Sequence, residues 1–285
     1  MKKPIGIFDS GIGGLTVVKQ LMHLLPDEQL IYFGDTARIP YGSKSKRLIE
    51  QYALEDANFL LQYDIKTLIV ACNTASSLAM DVLLEHLQIP VVGVVIPGAQ
   101  AAVELTQNNK IGVIGTIATI NSNSYAVQIH NRQNDARVFA QSCPLLVPLV
   151  EEGWLEDDIT IMVLKKYLAE MINESVDTLI LGCTHYPLLE KTIQNIMGNN
   201  VSLIDSGRET AKAVKQVLIE TGLLNRSGKF GQDKFFVSDI PMKFEEIGSR
   251  FLGKKLDNVE RIDFERFLMQ AGQKVVTNIS EKVEV

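Results

Sequence analysis

The sequence predicts an α/β protein of two pseudo-symmetric domains, each a mostly parallel sheet flanked by helices, with a functional cleft between them. Three observations lead there. Short apolar runs of strand length alternate with helical patterns along nearly the whole chain, the order that builds a parallel sheet with helices on both faces. The order restarts midway, where IGVIGTIATI (111–120) echoes IGIFDSGIGG (5–14). Two near-copies, LIVACNTASS (68–77) and LILGCTHYPLL (179–189), each end an apolar run in a cysteine.

In the first half, strands are expected at PIGIFDS, LIYFGD, TLIVAC and PVVGVV, separated by helices near 16–25, 44–63 and 76–87. The second half repeats the scheme with KIGVIGT, ARVFAQS, TLILGC and VSLIDS, and with helices near 98–107, 121–131, 157–173 and 188–197. A helix near 209–221, the run KFFVSD, a helix near 243–252 and VERIDF follow, and this stretch is expected to return to the first half. The division is therefore 1–97 plus 207–270 for one domain, 98–206 for the other, and 271–285 as a polar tail.

Composition narrows the partners. The chain has 285 residues, 46% apolar and 22% charged, enough for a sizeable core. A formal charge of −6, without clustered Lys and Arg, argues against a nucleic-acid or anionic-membrane surface, so any anionic ligand must be held locally. The longest apolar stretch, PVVGVVIPGAQAAV, is broken by Pro97 and Gly98 and falls short of a membrane span. Three cysteines in separate segments do not make a secreted disulfide framework, and no signal peptide precedes Ile5, which points to the cytoplasm.

Cys72 and Cys183 carry the chemistry. A buried parallel strand ending in a thiol delivers it to the carboxyl edge of the sheet, where open α/β sheets bind ligands. Asn73-Thr74 follows one sulfur and Thr184-His185 the other, surroundings that favour thiolate over thiol. Free cysteine is also a common core residue, but two in matched polar contexts point to reactivity. Cys143, in QSCPLLVPLV, has no such setting and is expected to pack. The two reactive candidates belong to different halves, so they suit two bases on opposite walls better than a redox pair.

Other signals are weaker. DSGIGGLT (9–16) is glycine-rich, yet Thr16 stands where a dinucleotide fingerprint needs glycine, and Asp9 would repel a phosphate. Asp9 and Ser10 suit an amine plus a carboxylate, or simply cap the next helix. The four histidines lack metal-ligand spacing, so no metal is expected, and no candidate supports pyridoxal phosphate; His185 alone sits where it can exchange protons with a cysteine, or else serves as a capping or structural residue.

These segments, together with GDTARIPYG (34–42), VGVVIPG (92–98) and PLVEEG (148–153), resemble the glutamate racemases of the cofactor-independent aspartate/glutamate racemase family, in the family's order and essentially end to end. The resemblance implies inversion at Cα of free glutamate, supplying the D-enantiomer for peptidoglycan, with Cys72 deprotonating D-glutamate and Cys183 deprotonating L-glutamate. It assigns auxiliary acid/base roles to Asp9, His185 and Glu152. Substrate contacts fall to Asp9, Ser10, Tyr41, Gly42, Asn73, Thr74, Thr116, Thr119, Thr184 and His185. No cofactor is implied, and a homodimer is the assembly common among members. Aspartate as substrate, a thiol-dependent isomerase or decarboxylase of a related diacid, or a non-catalytic protein binding an acidic metabolite stand as alternatives.

Overall fold

The computed structural model describes residues 2–239 and 244–269; the tail, 271–285, lies outside them. Strands β1 (Ile5–Asp9), β2 (Leu30–Gly34), β3 (Thr67–Val70) and β4 (Val91–Gly93) begin the first sheet. Strands β5 (Lys110–Gly115), β6 (Arg137–Ser142), β7 (Thr178–Gly182) and β8 (Ser202–Asp205) form the second, and β9 (Lys234–Val237) and β10 (Val259–Arg261) come last. The 6-stranded sheet has the order β10-β9-β2-β1-β3-β4 and the 4-stranded sheet β6-β5-β7-β8, with parallel pairing throughout. The order β2-β1-β3-β4 is thus repeated as β6-β5-β7-β8, which gives the echo of the first strand by the fifth a topological basis. The last two strands do rejoin the first sheet, beside β2.

The apolar runs are continuous because both faces of each sheet are covered. Ile5 and Ile7 of β1 enter the central core and Phe8 the outer one, while Leu179 and Leu181 of β7 face the central core and Ile180 the far side. The central core runs unbroken from one sheet to the other, including Leu15, Leu21 and Val18 from the first half and Leu164, Leu168 and Leu189 from the second. Each such side chain contributes roughly 1.5–3 kcal/mol on leaving water. A second cluster, with Phe33, Phe59 and Phe236, closes the outer face of the first sheet.

Helix boundaries differ from the sequence expectation where the chain turns toward the site. The helix expected from Ser76 begins at Asn73, breaks at Ala79 and resumes over Met80–His86. Its first turn is polar, so apolar periodicity does not register it. The helix expected from Gly98 spans Val95–Leu105, placing Pro97 in the first turn, where the missing N–H has no intrahelical partner to lose. This helix carries the chain from one sheet to the other. The helix expected near 121–131 is two short ones, Ile117–Asn121 and Ser124–His130, hinged at Asn123 in the left-handed region.

Candidate active site

Strand β3 and strand β7 occupy equivalent places in the two sheets, and each feeds a cysteine to its carboxyl edge. Cys72 caps helix Asn73–Leu78, and Cys183 directly follows β7. Both are 5% exposed, and both line one cavity of about 400 Å³. Cys143 is fully buried and packs in the central core, and it is not among the residues that line that cavity.

The two sulfurs have unlike companions. Cys72 Sγ lies 3.6 Å from Ser10 Oγ. Burial and the negative charge of Asp9 push its thiol up to about 12, against the pull of hydrogen bonds from Ala75 and Ser10. The thiolate-favouring environment expected for this cysteine is therefore corrected: desolvation and a neighbouring carboxylate outweigh the helix start, and Cys72 rests as a thiol. Asp9, at the end of β1 and 1% exposed, accepts from the Gly11 N–H at 3.0 Å through Oδ2, while Oδ1 has no hydrogen-bond partner among the described residues. Burial raises its pKa, opposed by the charge of His185 and nearby backbone N–H groups. Neither Asp9 nor Ser10 caps the next helix, whose N-cap is Gly14 without a side-chain bond.

Cys183 has a cation beside it. His185 Nδ1 is 3.8 Å from the Cys183 sulfur, and Nε2 is 2.9 Å from Glu151 Oε1. Burial opposes the imidazolium, but hydrogen bonding and charge from Cys183 and Glu151 prevail and raise His185 from 6.5 to about 10. Because the folded value is raised, the stabilisation from protonated His185 is complete below pH 6.5 and is lost as pH rises through about 10. Urea midpoints are expected to fall over that window in the wild type, and His185→Gln should abolish this component. A midpoint with the same pH dependence in both proteins would contradict the assignment.

Polar contacts tie the halves together around the cavity. Thr74 Oγ1 is 2.9 Å from Thr116 Oγ1, and Thr116 Oγ1 accepts from the Thr119 N–H at 3.2 Å as the cap of helix Ile117–Asn121. The Tyr125 hydroxyl donates to Asn73 Oδ1 at 2.7 Å, leaving Asn73 Nδ2 buried and unpartnered among the described residues. Thr16 Oγ1 donates to the carbonyl of Thr184 at 2.9 Å. Two glycines permit the approach: a Cβ on Gly13 would collide with Thr184 Oγ1 and lie 2.6 Å from His185 Nδ1, and one on Gly42 would lie 2.8 Å from Thr116 Cβ. The glycine-rich segment thus serves close contact between halves.

Of the residues named from the sequence, Ser10, Tyr41, Gly42, Cys72, Asn73, Thr74, Thr116, Cys183, Thr184 and His185 line the cavity. Asp9 and Thr119 lie buried behind the wall, one beside Ser10 and the other beneath Thr116. Glu152 does not reach it: that residue is exposed, and its neighbour Glu151 lines the cavity and meets His185. Glu151 is the last residue of helix Leu146–Glu151, one turn after the cavity-lining Val147, whereas Glu152 is the exposed C-cap beyond it. Sequence reasoning also missed Tyr125, the orienting partner of Asn73, and the apolar wall of Ile39, Ile117, Pro148, Phe244 and Ile247. Glu151 and His185 are the charged side chains of the lining among the described residues, which otherwise offers neutral donors.

Two parallel sheets of matched topology, each presenting a cysteine to a shared cavity, define a two-thiol α/β enzyme. The chain belongs to the Asp/Glu/Hydantoin racemase family, whose model matches residues 14–214. It is 48% identical to the glutamate racemase of Geobacter metallireducens, over 92% of this chain and 97% of that protein. Among solved structures, the Francisella tularensis glutamate racemase in complex with D-glutamate is 43% identical, with a TM-score of 0.87 over 93% of this chain and 99% of that one. A Bacillus anthracis glutamate racemase isoform is 40% identical, with a TM-score of 0.88 over 92% of this chain and 98% of that one.

Proposed function

We propose that this chain is an amino-acid racemase that interconverts L-glutamate and D-glutamate, with Cys72 and Cys183 as the two bases. The observation that carries the mechanism is one sulfur from each half on a single cavity, with an anion behind one and a cation beside the other. Inversion needs two groups, because one base returning its own proton to the same face regenerates the starting enantiomer. In the L-to-D direction, Cys183 as thiolate, accompanied by the His185 imidazolium, takes the α-proton. The Cys72 thiol then gives its proton to the opposite face; in the reverse direction the roles exchange. Glu151 orients His185 and supports its charge.

Substrate binding follows the unfilled valences. Asn73 Nδ2, with its oxygen held by Tyr125, is a donor for a substrate carboxylate. Burial and the charge of Asp9 keep the proton on Cys72, and the substrate ammonium offsets the second of these. Ser10, Tyr41, Gly42, Thr74, Thr116 and Thr184 surround the rest of the substrate, and Thr119 supports Thr116. Neutral donors bind the carboxylates without locking the ground state, so more binding energy remains for the carbanionic transition state.

The same reading divides the chain into 1–97 with 207–270 and 98–206, and assigns it to cytoplasmic supply of D-glutamate for peptidoglycan, as a homodimer. Among the described residues no helix is long and apolar enough to cross a membrane.

The test is to incubate the purified protein, without added pyridoxal phosphate, with each glutamate enantiomer in deuterated water. Optical rotation and loss of the α-proton are followed together. Inversion with solvent deuterium at Cα is expected from either enantiomer, and with aspartate far more slowly. Glutamate binding without exchange would replace this reading with a binding protein.

A further inference from the structure

Behind Tyr41, outside the cavity, lies a cluster of charge that the reaction does not use. Arg38 donates through Nε to Asp35 Oδ2 at 2.6 Å and through Nη2 to Asp56 Oδ1 at 2.8 Å, and it also pairs with Glu55. The side chains of Asp35 and Asp56 are fully buried. The guanidinium is 3.9 Å from the centre of the Tyr52 ring and 4.8 Å from that of Phe264, which exclude water from its faces. Three carboxyl groups thus share one guanidinium in a site nearly closed to solvent.

The Tyr41 hydroxyl decides how the protons are placed. It lies against Asp35 Oδ2 and, at 3.0 Å, against Asp56 Oδ2. A phenol has one hydrogen, so two carboxylate acceptors cannot both be satisfied, and one carboxyl must bring a hydrogen of its own. Asp35 has no room for one: Oδ1 accepts from Ser238 Oγ at 3.0 Å, and Oδ2 accepts from Arg38 and Tyr41. Among the described residues, the Tyr41 hydroxyl is the hydrogen-bond partner of Asp56 Oδ2.

We propose that Asp56 is a carboxylic acid that keeps its proton in the folded protein and thereby positions Tyr41 and the cavity-lining loop 39–43. The hydrogen-bond chain runs from Asp56 Oδ2–H to the Tyr41 oxygen, and from the Tyr41 hydrogen to Asp35 Oδ2. This chain anchors the loop from helix Lys46–Leu61, while Gly42 at its tip packs on Thr116 of the second half. Burial and the charge of Asp35 raise the Asp56 pKa, Arg38 and the hydrogen bond with Tyr41 lower it, and Glu55 adds to the rise, so the surroundings of the acid favour the neutral form on balance. Asp56 touches no substrate on this view; it acts through Tyr41, and its effect on turnover rests on the racemase reading above.

The test compares Asp56→Asn with Asp56→Ala in the full chain. Asn replaces the acid isosterically, its amide donating to Tyr41 and its carbonyl accepting from Arg38. At neutral pH the wild-type minus Asp56→Asn infrared difference spectrum is expected to contain the carbonyl band of a protonated carboxylic acid. Asp56→Asn should keep KM for glutamate within about threefold of wild type, and Asp56→Ala should raise it about tenfold with less change in kcat. As pH rises, KM should increase more steeply in the wild type, where Asp56 ionises, than in Asp56→Asn, where only the groups common to both proteins titrate. The absence of the acid band, or an Asp56→Asn enzyme as impaired as Asp56→Ala, would overturn the proposal. If Asp56→Ala does not fold, the band and the Asn variant still decide. If no glutamate is racemised at all, the functional reading fails while the infrared band reports independently on the proton.

Discussion

Cys72→Ala and Cys183→Ala are each expected to lower kcat/KM for glutamate by about a thousandfold or more, the scale of a lost general acid or base. Neither variant should lose much stability, since one sulfur at the edge of a cavity is removed and the strand that carries it remains. The informative readout is one-sided exchange. With Cys183 gone, Cys72 still faces one side of the α-carbon and can trade the α-proton of D-glutamate with solvent without inverting it. With Cys72 gone, slow exchange should be confined to L-glutamate. Exchange of both enantiomers by either single variant would mean that a third group, with Asp9 and His185 the nearest candidates, removes the proton directly.

The second large effect is expected at a residue with no functional group. Gly13→Ala places a methyl group against Thr184 Oγ1 and 2.6 Å from His185 Nδ1, where both neighbours are buried. Overpacking of this kind costs about 1–3 kcal/mol in stability. Displacing His185 by as much as an ångström should cost a further ~100-fold in turnover. Urea denaturation and steady-state kinetics read the two effects separately, and wild-type kinetics in this variant would show that the contact between Gly13 and His185 does not set the catalytic geometry.

Much of the fold was legible because buried parallel strands announce themselves. TLIVAC and TLILGC predict two strands delivering two thiols, and the structure places Cys72 and Cys183 at equivalent edges of two sheets with the same strand order. The return of KFFVSD and VERIDF to the first sheet was likewise anticipated. Less legible were features that depend on what lies opposite. Cys72 reads as a thiolate from its own segment because Asn73 and Thr74 are visible there, whereas the burial and the Asp9 charge that reverse the preference come from the packing of β1 beside β3. Glu151 and Glu152 are indistinguishable by composition, and only the contact with His185, brought in from the second cysteine segment, selects between them. Arg38, Asp35 and Asp56 look like ordinary surface charge until helix Lys46–Leu61 closes over them.

The repeated strand order has a consequence that lies in equilibrium thermodynamics. Its two halves present different companions, a buried carboxylate behind one sulfur and an imidazole beside the other, so the empty site is not its own mirror image. The enantiomers it interconverts are mirror images and have equal free energies in water, which fixes the equilibrium ratio at unity. The ratio of kcat/KM for the two directions must equal that ratio whatever the site contains. The handed placement of Asp9 and His185 therefore cannot favour net production of either enantiomer. It can only decide which one is held more tightly and turned over more slowly, leaving any steady surplus of one enantiomer in the cell to whatever reaction withdraws it.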